Sequence, residues 1–432
     1  MSIIKYITYV VALLLALVLA LIGVLSVTRD TPVKNVLAEG DKDGPPSVSD
    51  ALFPRSIELY TGTHIDPGNK VEALLNGNGT YPPLWKDLAQ AEHTITVQMY
   101  YSQPGAVADS MAKYLEMKAR AHVRVLLLLD AFGSQPLKPE WLQGLQKAGV
   151  EAVWLRPLRW YTLNKAAQRS HVRAIVIDGR IGYTGGFGLA DYWLGDGHHE
   201  DQWRESNVRF EGPTVAALQA AFAAGWAEAT GELLTGDLFF PQAGFAQRGD
   251  MQAGLMHSVP STGSTPAERM LALSIAGAHR TLYITNSYFV PGENFLQLLL
   301  NAAKHGVDVR ILTVSKKTDV KTTWYAGRTY YDKLLSGGVK VYEYKPTMMH
   351  AKTMVVDGIW SQIGSMNFDN RSLAFNNESL LLVLDKRFGA KMDSTFMDDI
   401  KYSEEIKLDT FRKRPLTGRV IEWGAQKLRR VL

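Results

Sequence analysis

Two stretches of this chain, 171–186 and 350–365, set a histidine two positions before a basic residue and seven before an aspartate. In the second they are His350, Lys352 and Asp357, followed by Gly364-Ser365-Met366-Asn367; in the first, His171, Arg173 and Asp178, followed by Gly185-Gly186-Phe187-Gly188. On a strand, side chains two apart share a face, so histidine and cation project together while the aspartate lies on the opposite side. An imidazole beside a fixed cation suits chemistry at a phosphate: the cation holds the anionic oxygens while the imidazole reaches phosphorus or moves a proton. Each stretch is followed by a glutamate at matching register, Glu205 in RESNVRF and Glu378 in NNESLLLV. We expect each carboxylate to bond the distal nitrogen of a histidine, fixing its tautomer and stabilising the imidazolium.

The other histidines read differently. His93, His122, His257, His279 and His305 stand alone in apolar surroundings and are expected to be satisfied core residues. The run His198-His199-Glu200-Asp201 lacks a spaced fourth ligand, so we expect a surface loop and no metal or cofactor. The chain has no cysteine, which excludes disulfides, thiolate nucleophiles and sulfur-ligated zinc. Trp154, Trp160, Trp193, Trp203, Trp226 and Trp324 are assigned to the core, with Trp160 and Tyr161 the alternative occupants of a lipid-facing mouth.

The elements that must position these residues recur. TITVQMYY (94–101) matches TLYITNSYF (281–289), HVRVLLLLD (122–130) matches DVRILTV (308–314), LQKAGVEAVWL (145–155) matches LLSGGVKVYEY (334–344), and the two histidine stretches form a fourth pair. Period-2 apolar runs alternate with helical stretches in the same order twice, which predicts an α/β layered fold with helices flanking a sheet in each half. Two copies of one fold usually pack about a pseudo-two-fold axis, which would bring equivalent loops together at a seam.

At 432 residues, two domains or one duplicated domain are expected. The net charge of +4 is too small to argue for nucleic acid as a partner. From Ile7 to Val27 there are 21 uncharged residues, long enough for a helix to span a bilayer, and an uncleaved anchor is the preferred reading over a signal peptide. The expected organisation is an anchor over 1–28, a Pro-containing tether over 29–55, a first domain over 56–245, a second over 246–405 and a basic tail over 406–432. Residues 411–432 carry seven Lys and Arg against the single acid Glu422, and are either a solvated helix end or a contact for anionic headgroups.

The doubled H-x-K/R-x-x-x-x-D pattern resembles the signature of the phospholipase D superfamily, over roughly residues 70–400. LLLLDAFGS (126–134), TNSYFVP (285–291), EYKPTMMHAKT (343–353) and NFDNRS (367–372) are similar to cardiolipin synthase sequences in particular. The resemblance implies two phospholipase D-type domains, each a mixed sheet flanked by helices, packed about a pseudo-two-fold axis with the active site at the seam. It implies a phosphohistidine intermediate with His171 as nucleophile and His350 as acid and base, Arg173, Lys352, Asp178, Asp357, Glu205 and Glu378 completing the catalytic set, and Gly185, Gly186, Ser365 and Asn367 closing the phosphate pocket. It further implies phosphatidylglycerol as substrate, cardiolipin as product, and a single-pass inner-membrane location with the periplasmic side favoured for the catalytic part. No oligomer is required, because both half-sites are in one chain. Arg173 and Gly188 depart from the family's lysine and asparagine. That keeps three rivals in view: a hydrolytic phospholipase D, a membrane-tethered nuclease or other phosphodiesterase, and a non-catalytic lipid-binding member. Under the last, Arg173→Lys with Gly188→Asn should create activity; under the transferase reading it should only modify it.

Overall fold

The computed structural model describes residues 3–27, 32–37, 45–157, 168–261 and 263–429. Its strands are β1 (Asp66–Leu75), β2 (Thr94–Met99), β3 (Arg124–Asp130), β4 (Glu151–Leu155), β5 (Ala174–Ile177), β6 (Ile181–Gly185), β7 (Ser206–Glu211), β8 (Met251–Ser258), β9 (Thr281–Asn286), β10 (Asp308–Val314), β11 (Lys340–Tyr344), β12 (Lys352–Val356), β13 (Trp360–Gly364), β14 (Glu378–Leu384) and β15 (Ser403–Glu405). They form one mixed sheet in the order β15-β11-β10-β9-β12-β13-β14-β8-β1-β7-β6-β5-β2-β3-β4. In one arm β2, β3 and β4 are parallel and β5, β6 and β7 antiparallel. The other arm repeats the scheme with β9, β10, β11 and then β12, β13, β14.

Each parallel pair needs a crossover, and helices supply it. Ala106–Arg120, between β2 and β3, buries Val107, Met111 and Leu115 at four-residue spacing; Gly292–Lys304, between β9 and β10, buries Phe295, Leu296 and Leu299. The run LLLLD of β3 is buried on both faces, as a parallel strand covered by helices requires.

The sheet is not flat. β14 and β6 lie four ladder steps apart, roughly 19 Å at ordinary strand spacing, yet Ser379 Oγ meets Thr184 Oγ1 at 3.1 Å. The sheet therefore curls until its arms pack face to face, and Val208, Phe210, Val355, Ile363, Leu381 and Val383 share one core.

Several expectations change here. Asp178-Gly179 and Asp357-Gly358 are the tips of the β5–β6 and β12–β13 hairpins, all four residues at positive φ (51°, 60°, 54° and 67°), as a type I′ turn demands. The Asp178 carboxylate accepts from the backbone N–H of Glu92, His93 and Thr94 (2.7–3.0 Å); that of Asp357 accepts from His279, Arg280 and Thr281 (2.7–3.0 Å). Expected among the catalytic residues, these aspartates instead tie hairpin tips to the entry of β2 and β9. Seven extended residues separate each from its histidine by roughly 20 Å.

The segment expected as a tether up to residue 55 joins the fold earlier. Val48, Phe53 and Ile57 are buried in the core beneath β9–β13, Val48 N–H donates to Gly277 O (3.0 Å), and Phe53 meets Trp360 edge-on at 5.1 Å. The basic tail is also folded: Leu408–Arg412 and Leu416–Lys427 are helices, with Phe411, Glu422 and Ala425 buried. Four of the five supposed core histidines, His93, His122, His279 and His305, are exposed at turns and element ends; His257 alone is partly buried. A helix covers Ile3–Val27, with apolar side chains exposed from Tyr6 to Leu21. Among the described residues, whose side chains in this helix run from Lys5 to Leu21, no helix is long and apolar enough to cross a membrane.

Candidate active site

The two histidines sit on extended segments leading into β5 and β12, and each is held by the opposite arm. His171 N–H donates to Asn377 O and His350 N–H to Arg204 O, both at 2.8 Å, extending the bridges Ser170–Asn377 and Arg204–Met349. These contacts place each imidazole against the glutamate one residue further along the partner strand. His171 Nδ1 lies 2.9 Å and 3.1 Å from the two Glu378 oxygens, and His350 Nδ1 lies 2.5 Å from Glu205 Oε2. The pairing is crossed: each histidine takes its carboxylate from the other half of the chain.

The glutamates are wholly buried and separately braced. Ser365 Oγ donates to Glu378 Oε2 at 2.5 Å. Glu205 has a glycine, Gly186, where Glu378 has that serine, and its brace is the Trp193 indole N–H at 3.1 Å. A Cβ on Gly186 would fall 2.5 Å from Glu205 Oε2, so only glycine admits the carboxylate. The N–H groups of Gly186 and Phe187 are bound by Asn207 Oδ1 (3.0 and 3.2 Å). The glycine pair thus shapes the glutamate seat instead of donating to a phosphate.

At Gly188, where the resemblance leads one to expect asparagine, a Cβ would meet Tyr101 O at 2.6 Å and the Trp193 ring at 2.9 Å. Trp193 occupies the missing side chain's space. Asn367, its counterpart, is buried on a turn whose flanking backbone, Met366 and Phe368, is held by Asn286, and Asn286 pairs in register with Lys352. Asn367 Oδ1 has no hydrogen-bond partner among the described residues.

Arg173 is fully buried, with one guanidinium nitrogen on His171 O (3.2 Å) and Nε unpartnered among the described residues. Lys352 Nζ lies against the His350 ring, 2.9 and 3.0 Å from its nitrogens, and donates to His350 O at 2.5 Å. Neither cation has an acidic partner within ion-pair distance among the described residues, a costly arrangement unless an anion completes it.

Burial sets the electrostatics. It drives the His171 pKa down to about 4, Glu378 opposing and Arg173 reinforcing. It drives His350 down to about 3, reinforced by Lys352, and brings Lys352 itself down to about 7. Burial alone would raise both glutamates; His350 with Lys352 holds Glu205 below the usual carboxylate range, and His171 does the same for Glu378. At neutral pH both imidazoles are uncharged. A carboxylate can only accept, so a neutral His171 turns its Nδ1 proton to Glu378 and leaves Nε2 as a base or nucleophile; in His350 the same tautomer faces Glu205, with Nε2 3.0 Å from Lys352 Nζ. Lys352 acts on His171 and Arg173 on His350, so the two half-sites form one electrostatic unit.

Aromatic rings wall this unit, and sequence reasoning missed them. Tyr100 meets His171 edge-on at 4.8 Å; Trp203 stacks on His350 at 4.9 Å, and Trp193 meets it edge-on at 5.4 Å. Trp193 is buried in the core as expected and Trp203 packs against it; what the sequence did not reveal is that both also border His350, Trp203 standing two residues before Glu205. Trp160 and Tyr161, the suggested mouth residues, lie outside the described residues. The loop 198–201 holds no metal-like cluster: His198 Nδ1 pairs with Tyr344 Oη (3.1 Å) and Glu200 with Lys317. Among the described residues no group of three or more potential ligands is placed to hold a metal.

Residues 271–400 match the family model described as "Cardiolipin synthase, PLD-like domain". The chain is 35% identical over 356 residues to a cardiolipin synthase of Geobacillus sp. (strain WCH70), covering 82% of this chain and 70% of that protein. It is 32% identical over 374 residues to cardiolipin synthase 2 of Bacillus anthracis, covering 86% and 72%. Among solved structures, phosphatidylserine synthase of Haemophilus influenzae Rd KW20 superposes with a TM-score of 0.66 at 13% identity, covering 88% of this chain and all of that one. Polyphosphate kinase of Porphyromonas gingivalis superposes at 0.53 and 11% identity, covering 83% of this chain and 53% of that one. These two likenesses concern the fold.

Proposed function

The chain belongs to the cardiolipin synthase family, and from that premise we propose that it transfers a phosphatidyl group between two phosphatidylglycerol molecules, giving cardiolipin and glycerol. The observation that carries this reading is the pair of buried basic side chains, Arg173 and Lys352, without an ion-pair partner among the described residues and beside the two imidazoles, so that a bound anion would favour their charged forms. A phosphodiester supplies the anion they lack.

His171 Nε2 attacks phosphorus as the bond to the departing glycerol oxygen breaks, and His350 delivers the proton that oxygen needs. The phosphatidyl group then rests on His171 through a P–N bond, the imidazolium stabilised by Glu378. A hydroxyl of the second phosphatidylglycerol gives its proton to His350 and attacks phosphorus, releasing His171. His350 must be protonated for the first step, although Lys352 and burial push it towards neutrality. The incoming anion resolves this by offsetting the Lys352 and Arg173 charges, raising the His350 pKa when a proton is needed.

We read the fold as two repeated phospholipase D-like domains about a pseudo-two-fold axis, divided near residue 245, with the site at their seam. The crossed His–Glu pairs and the repeated strand order support this. Helix Ile3–Val27 is read as the anchor that keeps the enzyme on the bilayer holding its substrate, on the strength of its exposed apolar side chains.

The test is to reconstitute purified protein with headgroup- and acyl-labelled phosphatidylglycerol and follow the products. Cardiolipin with equimolar glycerol is expected. Phosphatidic acid with glycerol and no cardiolipin would replace transfer by hydrolysis, and absence of any product would leave a lipid-binding role.

A further inference from the structure

We propose that helix Leu416–Lys427 is an interfacial element that docks on an anionic bilayer surface and seats the mouth of the active site against it. The helix packs through Glu422 and Ala425, which are buried. On its opposite side Leu416, Val420 and Trp423, spaced i, i+4, i+7, are 73%, 67% and 61% exposed. Single exposed apolar residues are ordinary, but a stripe of this spacing containing a tryptophan marks a surface that meets another apolar phase.

Charge identifies the occupant. Lys413, Arg419 and Lys427 are exposed around the stripe, while Arg412 is paired with Asp332 at 2.8 Å, and Lys427 Nζ sits 5.0 Å from the Trp423 ring. The one acid of the segment, Glu422, points inward to Arg328 and Arg414 at 3.1 and 2.8 Å. A protein partner is typically met by a rim of mixed sign; every exposed charge on the helix itself, Arg419 and Lys427, is basic, as anionic headgroups require.

Position ties the surface to the site. The loops after β9, β10 and β11, the last carrying His350, leave the same end of the sheet, where open α/β sheets bind their ligands. Arg328, at the end of helix Lys321–Arg328, links Glu343 near the end of β11 (2.7 Å) to Glu422 on the docking helix (3.1 Å). Between them opens a cleft of about 660 Å³ where Lys316, Lys317, Lys413 and Arg414 stand beside two ion pairs, Lys345–Glu404 and Lys407–Glu405. Lys317 Nζ reaches Pro346 O at 3.0 Å, four residues before His350. The cleft, its basic residues interspersed with acids, therefore joins the docking helix to the rim of the site, and an enzyme whose substrate stays in the membrane gains by having that rim held at headgroup level. Only this purpose rests on the transferase reading.

The sequence has no cysteine, so Val420→Cys gives a unique labelling position in the full chain. The labelled protein, carrying an environment-sensitive fluorophore, is reconstituted into phosphatidylcholine vesicles with or without phosphatidylserine; Lys113→Cys, exposed in the other half, is the control. At 420 we expect a blue shift, quenching by spin-labelled lipid and loss of iodide access, stronger with phosphatidylserine and weakened by salt. Iodide access equal to that at 113 under both conditions overturns the proposal. So does protection that appears in lipid-free detergent and grows with protein concentration, which would assign the stripe to a second copy. A Leu416→Glu, Val420→Glu, Trp423→Glu variant should lose about tenfold of its transfer rate on vesicles and less than about twofold on monomeric short-chain phosphatidylglycerol. Equal losses on both substrates count against it. The label reports docking even if no transfer is detected, so the two readings fail separately.

Discussion

Replacing Glu378 by glutamine isolates the crossed contact. The carboxylate is wholly buried and both its oxygens lie within 3.1 Å of His171 Nδ1, so whichever way the amide turns, its NH2 group faces the imidazole. Of the two acceptors around Nδ1 one becomes a donor that opposes the Nδ1 proton, which weakens the hold on the tautomer that leaves Nε2, the atom meant to attack phosphorus, unprotonated. The imidazolium of the intermediate also loses its counter-charge. Breaking a buried charged pair costs about 3–5 kcal/mol, and about 1.4 kcal/mol is tenfold in rate, so turnover should fall roughly 10²- to 10⁴-fold. KM should change little, because Glu378 serves the histidine and not the substrate. The assay is initial-rate conversion of labelled phosphatidylglycerol by reconstituted enzyme, with rapid quenching to separate phosphoenzyme formation from its decay. Glu378→Gln should slow formation, and Glu205→Gln should slow the proton transfers at His350. Turnover of Glu378→Gln within about threefold of the parent would refute the tautomer argument.

His350→Ala should accumulate an acid-labile phosphoenzyme from labelled phosphatidylglycerol while His171→Ala gives none; the reverse outcome exchanges the two roles. Gly188→Asn, expected from sequence to restore a missing donor, should instead destabilise by about 1–3 kcal/mol through overpacking and lower activity, since Tyr101 O and Trp193 occupy the space; a gain in rate would contradict the packing. Asp357→Ala should lower the thermal midpoint, at a cost of about 1–3 kcal/mol for the three orphaned N–H groups, while the rate per folded molecule stays within about twofold. The depressed histidine pKa values make the fold acid-sensitive. Below 6.5 the unfolded chain binds protons at His171 and His350 that the folded one refuses down to about 4 and 3. Stability therefore falls as pH drops across that window, by about 2 kcal/mol per histidine between pH 7 and 5, and equal chemical-unfolding midpoints at the two pH values would contradict this.

The histidine and cation of each stretch were legible because a strand's period of two is local, and the repeat was legible because it is written in order along the chain. What depended on which surfaces meet in three dimensions was not. Trp193 reads as core and is core, but its second role appears only when Gly186 and Gly188 are seen to leave it the space beside Glu205. Asp178 and Asp357 read as chemical groups because they complete a motif, although each precedes a glycine, and an Asp-Gly pair between two apolar runs is a hairpin signal. Residues 29–55 read as a tether because prolines and charges dominate the local composition, while Val48 and Phe53 are enough to bury its end in the core. The exposed histidines show the same limit, since an apolar neighbourhood in sequence does not fix which way a turn residue points.

The exchange of carboxylates between the arms makes catalysis a gauge of assembly. Cut near residue 245, neither fragment would own a complete relay: the amino-terminal piece would keep the imidazole at 171 without its acid and the acid at 205 without its imidazole, and the carboxy-terminal piece the converse. Turnover would return only on reassociation, so a severed version of this enzyme would report the meeting of its own pieces.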